Sequence, residues 1–234
     1  MEIRFKTSRS FFNALTALLK SFLLLLSLLI FAVFSGCKKE MDYRPYVSEL
    51  RSNILLANEG NFTLRIYAVN KETPYIPDGI PHECTNRVEI YLIAPEGKEN
   101  CKLYFTFDGQ EYGGDMSYDN VKSEYFFSRT LDISKAKNLT CRVEYGDKIF
   151  NLTAVSIQNE HTMDAMNILK ALKISEPELF TSLTDEYGFA GEIYIRLIYE
   201  ENPYYYVGII DRSGNIHAFL LNAQTGKILA KRTS

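Results

Sequence analysis

The sequence has 234 residues, with 26 Lys and Arg against 29 Asp and Glu, and it contains 16 Tyr and 15 Phe but no Trp. A protein that neutralises phosphates needs clustered Lys and Arg, and the net charge of −3 leaves no basic stripe, so nucleic acid is excluded as a partner. The length is sufficient for one or two domains.

The N-terminal segment has the pattern of an export signal. Arg4, Lys6 and Arg9 precede a stretch from Ser21 to Phe34 that is mostly apolar and carries no charge. This stretch is shorter than the roughly 20 apolar residues that a helix needs to span a bilayer. A basic start followed by a short apolar run is typical of a secretory signal peptide.

The segment Phe34-Ser35-Gly36-Cys37 resembles the lipobox of bacterial lipoprotein signals, although Phe34 stands where the family usually has Leu. The resemblance implies cleavage between Gly36 and Cys37 and attachment of lipid to the Cys37 thiol. Two or three acyl chains anchor a protein durably, whereas one binds only marginally. We expect a signal peptide over 1–36 and a lipidated tether over 37–44. The domain would then lie on the extracytoplasmic face of a cell membrane, in a leaflet left open. The alternative is a membrane helix with a chance cysteine at its end.

Without residues 1–36 the chain loses four basic residues and one acidic residue, so its net charge becomes about −6. Cys84, Cys101 and Cys141 remain as thiols. Cys101 and Cys141 each alternate with apolar residues, so both point to the apolar faces of their strands. They form either a disulfide across the core or two small buried side chains. The spacing of cysteines and histidines predicts neither a metal site nor a cofactor.

Residues 45–157 are predicted to form an antiparallel immunoglobulin-like β-sandwich. Short alternating runs are separated by Gly, Asn, Asp and Pro, which is typical of that architecture. The runs are NILLAN, NFTLRIYAV, RVEIYLIAP, CKLYFTFDG, SEYFFSRTLDI, LTCRVEYG and KIFNLTAVSI. Hairpins are expected at 96–100 and 146–147. The segment KETPYIPDGIPHEC contains three prolines, which predict an ordered surface loop.

Residues 163–234 are predicted to form a small α+β module. Apolar residues recur at helical spacing over 163–173, with Thr162 as the expected N-cap. Ser175 and Glu178 are expected to form the capping box of a second, short helix. The strands GEIYIRLIYE, PYYYVGIID, IHAFLLN and KILAKR follow, with a hairpin at 211–215. The helix is expected to cover one face of this antiparallel sheet.

Part of this module carries a family resemblance. The segment Tyr206-Val207-Gly208-Ile209-Ile210-Asp211, Gly214, and the segment Ala223-Gln224-Thr225-Gly226-Lys227-Ile228-Leu229 resemble the C-terminal half of a PepSY-like domain. Asn222 stands where that family tends to have Asp, and the resemblance covers at most residues 175–234. It implies a non-catalytic module of the cell envelope that restrains peptidases or binds partner proteins. Ordinary turn chemistry in an unrelated sheet is the alternative.

No group of residues predicts catalysis. A hydrolytic triad needs a nucleophile beside a base, and the histidines His82, His161 and His217 are scattered along the chain without a G-x-S-x-G motif. Cys84 lies next to Glu83, but adjacent residues rarely aim their side chains at one another. The segment 211–222 lacks the Gly and the acid of a calcium loop.

The tyrosine-rich segment before Gly208 offers a binding surface. Tyr204 and Tyr206 face opposite to Tyr205 and Val207, so one pair belongs to the core and the other meets solvent or a partner.

We therefore expect a membrane-anchored extracytoplasmic lipoprotein that is not an enzyme and binds a protein or a ligand. Its expected partners are the membrane, through the N-terminal lipid, and an envelope protein or peptidase. A solute-binding lipoprotein of a transporter is one alternative, and it predicts a deep cleft with convergent polar groups. An envelope enzyme is another, and it predicts titratable residues with shifted pKa values in a pocket. A structural spacer predicts no pocket.

Overall fold

The computed structural model describes residues 41–76, 80, 82–95 and 99–234, together with Lys20. This part of the chain is mainly β, as predicted. A short 3-10 helix, Arg44–Tyr46, precedes the first strand. The strands are β1 (Val47–Glu59), β2 (Phe62–Glu72), β3 (Cys84–Ile93), β4 (Cys101–Phe107), β5 (Gln110–Asp115), β6 (Ser117–Asp119), β7 (Glu124–Thr130), β8 (Asn138–Tyr145), β9 (Lys148–Ser156), β10 (Thr184–Asp185), β11 (Gly188–Phe189), β12 (Gly191–Tyr199), β13 (Pro203–Asp211), β14 (Ile216–Asn222) and β15 (Ile228–Thr233). The helices are α1 (Ala165–Ser175) and α2 (Pro177–Ser182).

Two of the site residues predicted from the sequence, Gly36 and Cys37, lie outside the described residues. The lipid anchor and the cleavage site therefore stay predictions. Within the described part of the chain, no helix combines the length and the apolar character needed to cross a bilayer.

Thirteen of the described strands form one extended sheet, in which β15, β14, β13, β12, β1, β2, β3, β7 and β6 follow one another in that order. A second run of strands, β9, β8, β4 and β5, branches from β1 through the β1–β9 pairing. Neighbouring strands of the described sheet pair antiparallel, with the exception of β1 and β12. That parallel pairing connects the first half of the chain to the last four strands of the sheet.

All seven strands predicted before residue 157 are confirmed, and they are β1, β2, β3, β4, β7, β8 and β9. Alternation is clearest in β2, where Leu64 and Ile66 are fully buried and Arg65 between them is partly exposed. Strands β5 and β6 were not predicted from the sequence. Gly113 and Gly114 remove the apolar alternation from β5, and β6 is only three residues long.

A first hydrophobic cluster receives side chains from both runs of strands. Leu64 and Ile90 come from the run that contains β2 and β3, and Leu103 and Val143 come from the run that contains β4 and β8. These side chains are buried completely. Removal of this apolar surface from water is the main stabilising contribution to this half of the fold.

A second cluster lies between α1 and the C-terminal strands. Ile168 and Leu172 of α1 pack against Ile195 of β12 and Val207 of β13. The prediction that a helix covers one face of this sheet is therefore confirmed. The aromatic rings of Tyr43, Phe180 and Phe189 close one end of the cluster through edge-to-face and stacked contacts.

Strand β1 contributes to both clusters, because successive side chains of a strand point to opposite faces. Leu55 belongs to the first cluster, and its neighbour Ile54 belongs to the second. Residues Tyr43–Ser234 form one compact unit. The predicted division into domains 45–157 and 163–234 stays a prediction.

The predicted helix caps are wrong. The side chain of Asp164, not of Thr162, caps α1, and its Oδ1 accepts hydrogen bonds from the backbone N–H of Met166 and of Asn167. Helix α2 begins at Pro177 without a side-chain cap, so the capping box predicted from Ser175 does not form. Proline fixes φ near the helical value, which favours a helix start at this position.

One predicted hairpin is wrong and two are confirmed. Strands β3 and β4 pair with different neighbours, so the segment 96–100 does not join a hairpin. Strands β8 and β9 do form a hairpin, with Tyr145 opposite Lys148 and a φ of +57° at Gly146. Strands β13 and β14 are joined by the second confirmed hairpin, and Gly214 has a φ of +83° there.

Candidate functional site

Cys101 and Cys141 are free thiols in the core. On the paired strands β4 and β8, Phe105 lies opposite Cys141 and Cys101 lies opposite Tyr145. The two cysteines are thus four positions apart along the ladder, which corresponds to roughly 13 Å. A disulfide needs Cα atoms within about 7 Å. The two cysteines therefore do not form the disulfide across the core. They are two small buried side chains, which is the other alternative predicted from the sequence.

The histidines do not converge on a common site. His161 is exposed, and His217 lies 3.7 Å from a carboxylate oxygen of Asp211 in the β13–β14 hairpin. His82 lies in the loop between β2 and β3, where its backbone N–H donates to Glu72. Within the described part of the chain, no three His, Cys, Asp or Glu side chains are placed to hold a metal ion.

Cys84 has the environment of an unreactive thiol. Its Sγ lies 3.5 Å from the carbonyl oxygen of Ser48, to which it donates. Burial raises the pKa of this thiol, and the nearby carboxylates of Glu72 and Glu192 raise it further. A thiol nucleophile needs a lowered pKa, because the thiolate is the reactive form.

The best candidate for a functional site is a groove of about 600 Å³ between the C-terminal strands and the loop that follows β2. We call it the tyrosine groove, because Tyr75, Tyr194 and Tyr206 contribute to its walls. Its lining residues are Ser48, Glu49, Lys71, Glu72, Thr73, Pro74, Tyr75, Tyr194, Arg196, Tyr206, Gly208, Ile210 and Ile216.

The floor of the groove is the sheet face that α1 leaves uncovered. Ile193 and Ile195 of β12 belong to the second cluster, so the alternate residues Glu192, Tyr194 and Arg196 point to the opposite face. The same alternation places polar and aromatic side chains of this strand together beside the loop.

Strand β13 follows the same rule. Tyr205 and Val207 are buried in the second cluster, and Tyr206 lines the groove. This confirms that the two pairs of side chains in this segment serve opposite faces. A Cβ atom on Gly208 would lie 3.2 Å from the Tyr206 ring. The glycine therefore leaves room for that ring against the floor.

Glu192 holds two tyrosines of the groove in place. The residue is 3% exposed, and its carboxylate accepts hydrogen bonds from the hydroxyl groups of Tyr75, at 3.1 Å, and of Tyr194, at 2.8 Å. The two hydroxyl oxygens are 2.7 Å apart. Burial is the main cause that raises the pKa of both tyrosines, and the proximity of Glu192 adds to it. Both hydroxyl groups are therefore protonated donors at neutral pH.

Glu72 is a second buried carboxylate, also 3% exposed. Its Oε1 accepts a hydrogen bond of 2.7 Å from the backbone N–H of His82. Its Oε2 has no hydrogen-bond partner among the described residues. Buried polar atoms are normally hydrogen-bonded, so an unpaired carboxylate oxygen in the wall of the groove is a candidate contact for a ligand.

The cations that line the groove are already paired. Arg196 donates from Nε and Nη2 to the two oxygens of Glu49, at 2.8 and 2.5 Å. This hydrogen bonding is the main cause that raises the pKa of Arg196. Lys71 Nζ lies 2.6 Å from Oε1 of Glu89.

No family model matches this chain. Comparisons with curated proteins and with solved structures found no significant match either.

Only one wall of the groove, the Tyr206 face of β13, was predicted from the sequence. Glu72, Glu192, Tyr194 and Arg196 were not predicted as site residues. Alternation in GEIYIRLIYE does place the last three on one face. The loop residue Tyr75 has no local signal that would connect it with β12.

Proposed function

We propose that this protein is a lipid-anchored extracytoplasmic binding protein, without catalytic activity, whose tyrosine groove binds a small ligand. The observation that carries the proposal is the groove itself, in which hydrogen-bonding groups converge between aromatic walls. Ligand sites typically have volumes of roughly 300–1,000 Å³ and combine apolar walls with a few placed polar groups. The volume of about 600 Å³ lies within that range.

The directions of the pKa shifts support binding over catalysis. The pKa values of Tyr75, Tyr194 and Cys84 are all raised. These groups are therefore protonated at neutral pH and donate hydrogen bonds. A thiol or a phenol that acts as a nucleophile or general base needs a pKa lowered toward the working pH, so these shifts do not favour the envelope-enzyme alternative.

The groove also favours a solute-binding role over a structural spacer, because a spacer needs no pocket. In that role the lipid on Cys37 would hold the groove at the membrane surface, next to a transporter or another envelope protein. The first hydrophobic cluster contains side chains from both runs of strands. This supports the proposal that residues 45–157 form an immunoglobulin-like sandwich.

The PepSY-like relationship of the C-terminal strands is kept as part of the proposal. Asn222 Oδ1 accepts hydrogen bonds from the backbone N–H of Gln224 and of Thr225, at 3.0 Å each. Asparagine thus forms the same turn that aspartate would form at this position. This supports equivalence of Asn222 with the family's Asp, and the module's partner would be an envelope protein or peptidase.

The anchor is tested by expression of the full chain in bacteria that are fed labelled palmitate. We expect the wild type and a Cys84→Ala control to be labelled, shortened and membrane-bound. The Cys37→Ala variant should be neither labelled nor cut. Label on that variant would show that Cys37 is not the attachment site.

The groove is tested with the full chain in detergent and a defined panel of small polar amines, sugars, carboxylates and dipeptides. Saturation-transfer NMR reports which compounds bind. At least one compound class should bind the wild type and lose binding in Tyr75→Ala and Tyr206→Ala. Tyr187→Ala is the matched control, since Tyr187 is 85% exposed and does not line the groove. If none of the panel binds in a way that depends on the groove tyrosines, this function is wrong.

A further inference from the structure

The charged groups around the tyrosine groove differ in how their charge is compensated. Arg196 is neutralised by Glu49, and Lys71 is neutralised by Glu89. Glu72 forms no such pair with a lysine or arginine of the described chain. Its only hydrogen bond within that part comes from a backbone N–H.

Glu192 likewise forms no ion pair with a lysine or arginine of the described chain. Its partners in the described chain are the neutral hydroxyl groups of Tyr75 and Tyr194. Strand pairing places both carboxylates near Cys84. Glu72 lies opposite Cys84 on the paired strands β2 and β3. Cys84 Sγ lies 3.6 Å from the carbonyl oxygen of Val47, which pairs with Ile193, the neighbour of Glu192. Glu72 therefore places uncompensated negative charge in the wall of the groove, and Glu192 adds a second charge next to the hydroxyl groups of Tyr75 and Tyr194. Buried charges are usually paired, because an isolated charge is costly to remove from water.

The aromatic walls of the groove are suited to a cationic ligand. The rings of Tyr75 and Tyr194 meet edge to face with centroids 6.3 Å apart, and Tyr206 lies along the neighbouring strand. The face of a tyrosine ring attracts a cation, and aromatic cages recognise alkylammonium groups in this way. The guanidinium carbon of Arg196 already lies 5.5 Å from the centre of the Tyr194 ring, which shows that this ring accepts a cation.

We propose that the tyrosine groove binds a small organic cation, with its ammonium group between the tyrosine rings and its charge compensated by Glu72 and Glu192. This inference rests on the proposed function of the groove and names its ligand class. An anion would have to compete with Glu49 and Glu89 for Arg196 and Lys71, and it would meet two further carboxylates. A bare metal ion needs a cluster of oxygen ligands, and the described residues hold no such cluster.

The test compares choline with 3,3-dimethyl-1-butanol, which has the same shape but no charge. Both are titrated into the full chain in detergent micelles, with empty micelles as the blank, and binding is followed by ligand-observed NMR. We expect choline to bind at least about tenfold more tightly than the neutral analogue. This comparison uses the wild type alone, so it does not depend on any variant's ability to fold.

Two variants then test whether Glu72 compensates the charge of the bound cation. Glu72→Gln should weaken choline binding about tenfold and leave the neutral analogue unchanged. The matched control is Glu124→Gln, because Glu124 is buried to a similar degree but pairs with Arg65 and does not line the groove. This control should bind choline like the wild type.

The outcomes separate the two proposals. Equal binding of choline and the neutral analogue, lost in Tyr75→Ala, would overturn the cation proposal and leave the groove as a binding site. Choline binding that survives both Glu72→Gln and Tyr75→Ala would also overturn it, since the cation would then bind elsewhere. Absence of choline binding overturns it as well, and the wider panel then decides whether the groove binds anything.

Discussion

Arg196 and Glu49 form a bidentate ion pair across the parallel strands β12 and β1, with nitrogen–oxygen distances of 2.8 and 2.5 Å. The pair joins residues that are 147 positions apart in sequence. It lies in the wall of the tyrosine groove, so it serves both the fold and the shape of the site. Two parallel hydrogen bonds also fix the orientation of the guanidinium group.

Loss of this pair should destabilise the protein. A double-mutant cycle with Glu49→Gln and Arg196→Met should give a coupling of about 1 kcal/mol in the free energy of unfolding, measured with urea. The value is modest because the Arg196 side chain is 38% exposed and solvent screens the charge. The exposed pair of Arg212 and Asp185, at 3.4 Å, is the control and should couple by less than about 0.5 kcal/mol. Equal coupling in both pairs would contradict this assignment.

Gly226 should tolerate no side chain. Its φ is +67°, and a Cβ atom would lie 2.7 Å from the Cβ of Ala171 on α1. Gly226→Ala should therefore cost about 2 kcal/mol or more of the unfolding free energy, from backbone strain and from contact with the helix.

Gly214 provides the matched control, since it has a φ of +83° but nothing within 4 Å of its Cβ position. Gly214→Ala should cost only the strain, about 1 kcal/mol. Urea unfolding measures both variants. A smaller loss at Gly226 than at Gly214 would show that α1 does not pack on this turn.

The three described thiols should differ in reactivity. Cys84 is half-buried, whereas Cys101 and Cys141 lie in the core, where burial raises their pKa values to about 12. On the native protein at pH 8, iodoacetamide should modify Cys84 at least about tenfold faster than Cys141. Mass spectrometry of the separate peptides gives each rate. Equal rates at both cysteines would mean that the core is open to solvent.

Stability should fall at alkaline pH. Burial raises the pKa of the Cys141 thiol and of the Tyr205 hydroxyl to about 12 in the folded protein, from 9.0 and 10.0. Between these values the unfolded chain has lost protons that the folded chain keeps. The stabilising contribution is complete below about pH 9 and is lost as the pH rises toward 12.

The free energy of unfolding in reducing buffer should thus drop by more than about 1 kcal/mol between pH 9 and pH 10.5. Tyr205→Phe removes one of the two groups, so its decline above pH 10 should be shallower. A free energy that stays constant up to pH 11 would show that these groups are not buried.

The strands were predictable because alternation is a local property. Leu64 and Ile66 identify a buried strand from the sequence alone, and every such run before residue 157 is a strand in the structure. The cap of α1 was not predictable in the same way. Thr162 and Asp164 are both suitable cap residues, and the choice depends on backbone geometry that periodicity does not report.

The groove was largely unpredictable, for a different reason. The hydroxyl groups of Tyr75 and Tyr194 are in contact, although the two residues are 119 positions apart in sequence. Their contact depends on the parallel pairing of β1 with β12, which carries no local signal. Only the face of β13 that bears Tyr206 was visible from alternation. The thiols Cys101 and Cys141 were correctly placed in the core, but the offset of four positions that prevents their pairing is a matter of strand register.

The most direct test of the central claim is NMR of the full chain with carbon-13 in its tyrosine rings, titrated with choline. Single Tyr→Phe variants assign the signals. We expect saturable shifts for Tyr75, Tyr194 and Tyr206, with no shift for Tyr104 and Tyr187, which lie outside the groove. No shift in the three groove tyrosines, or equal shifts in all five, would contradict it.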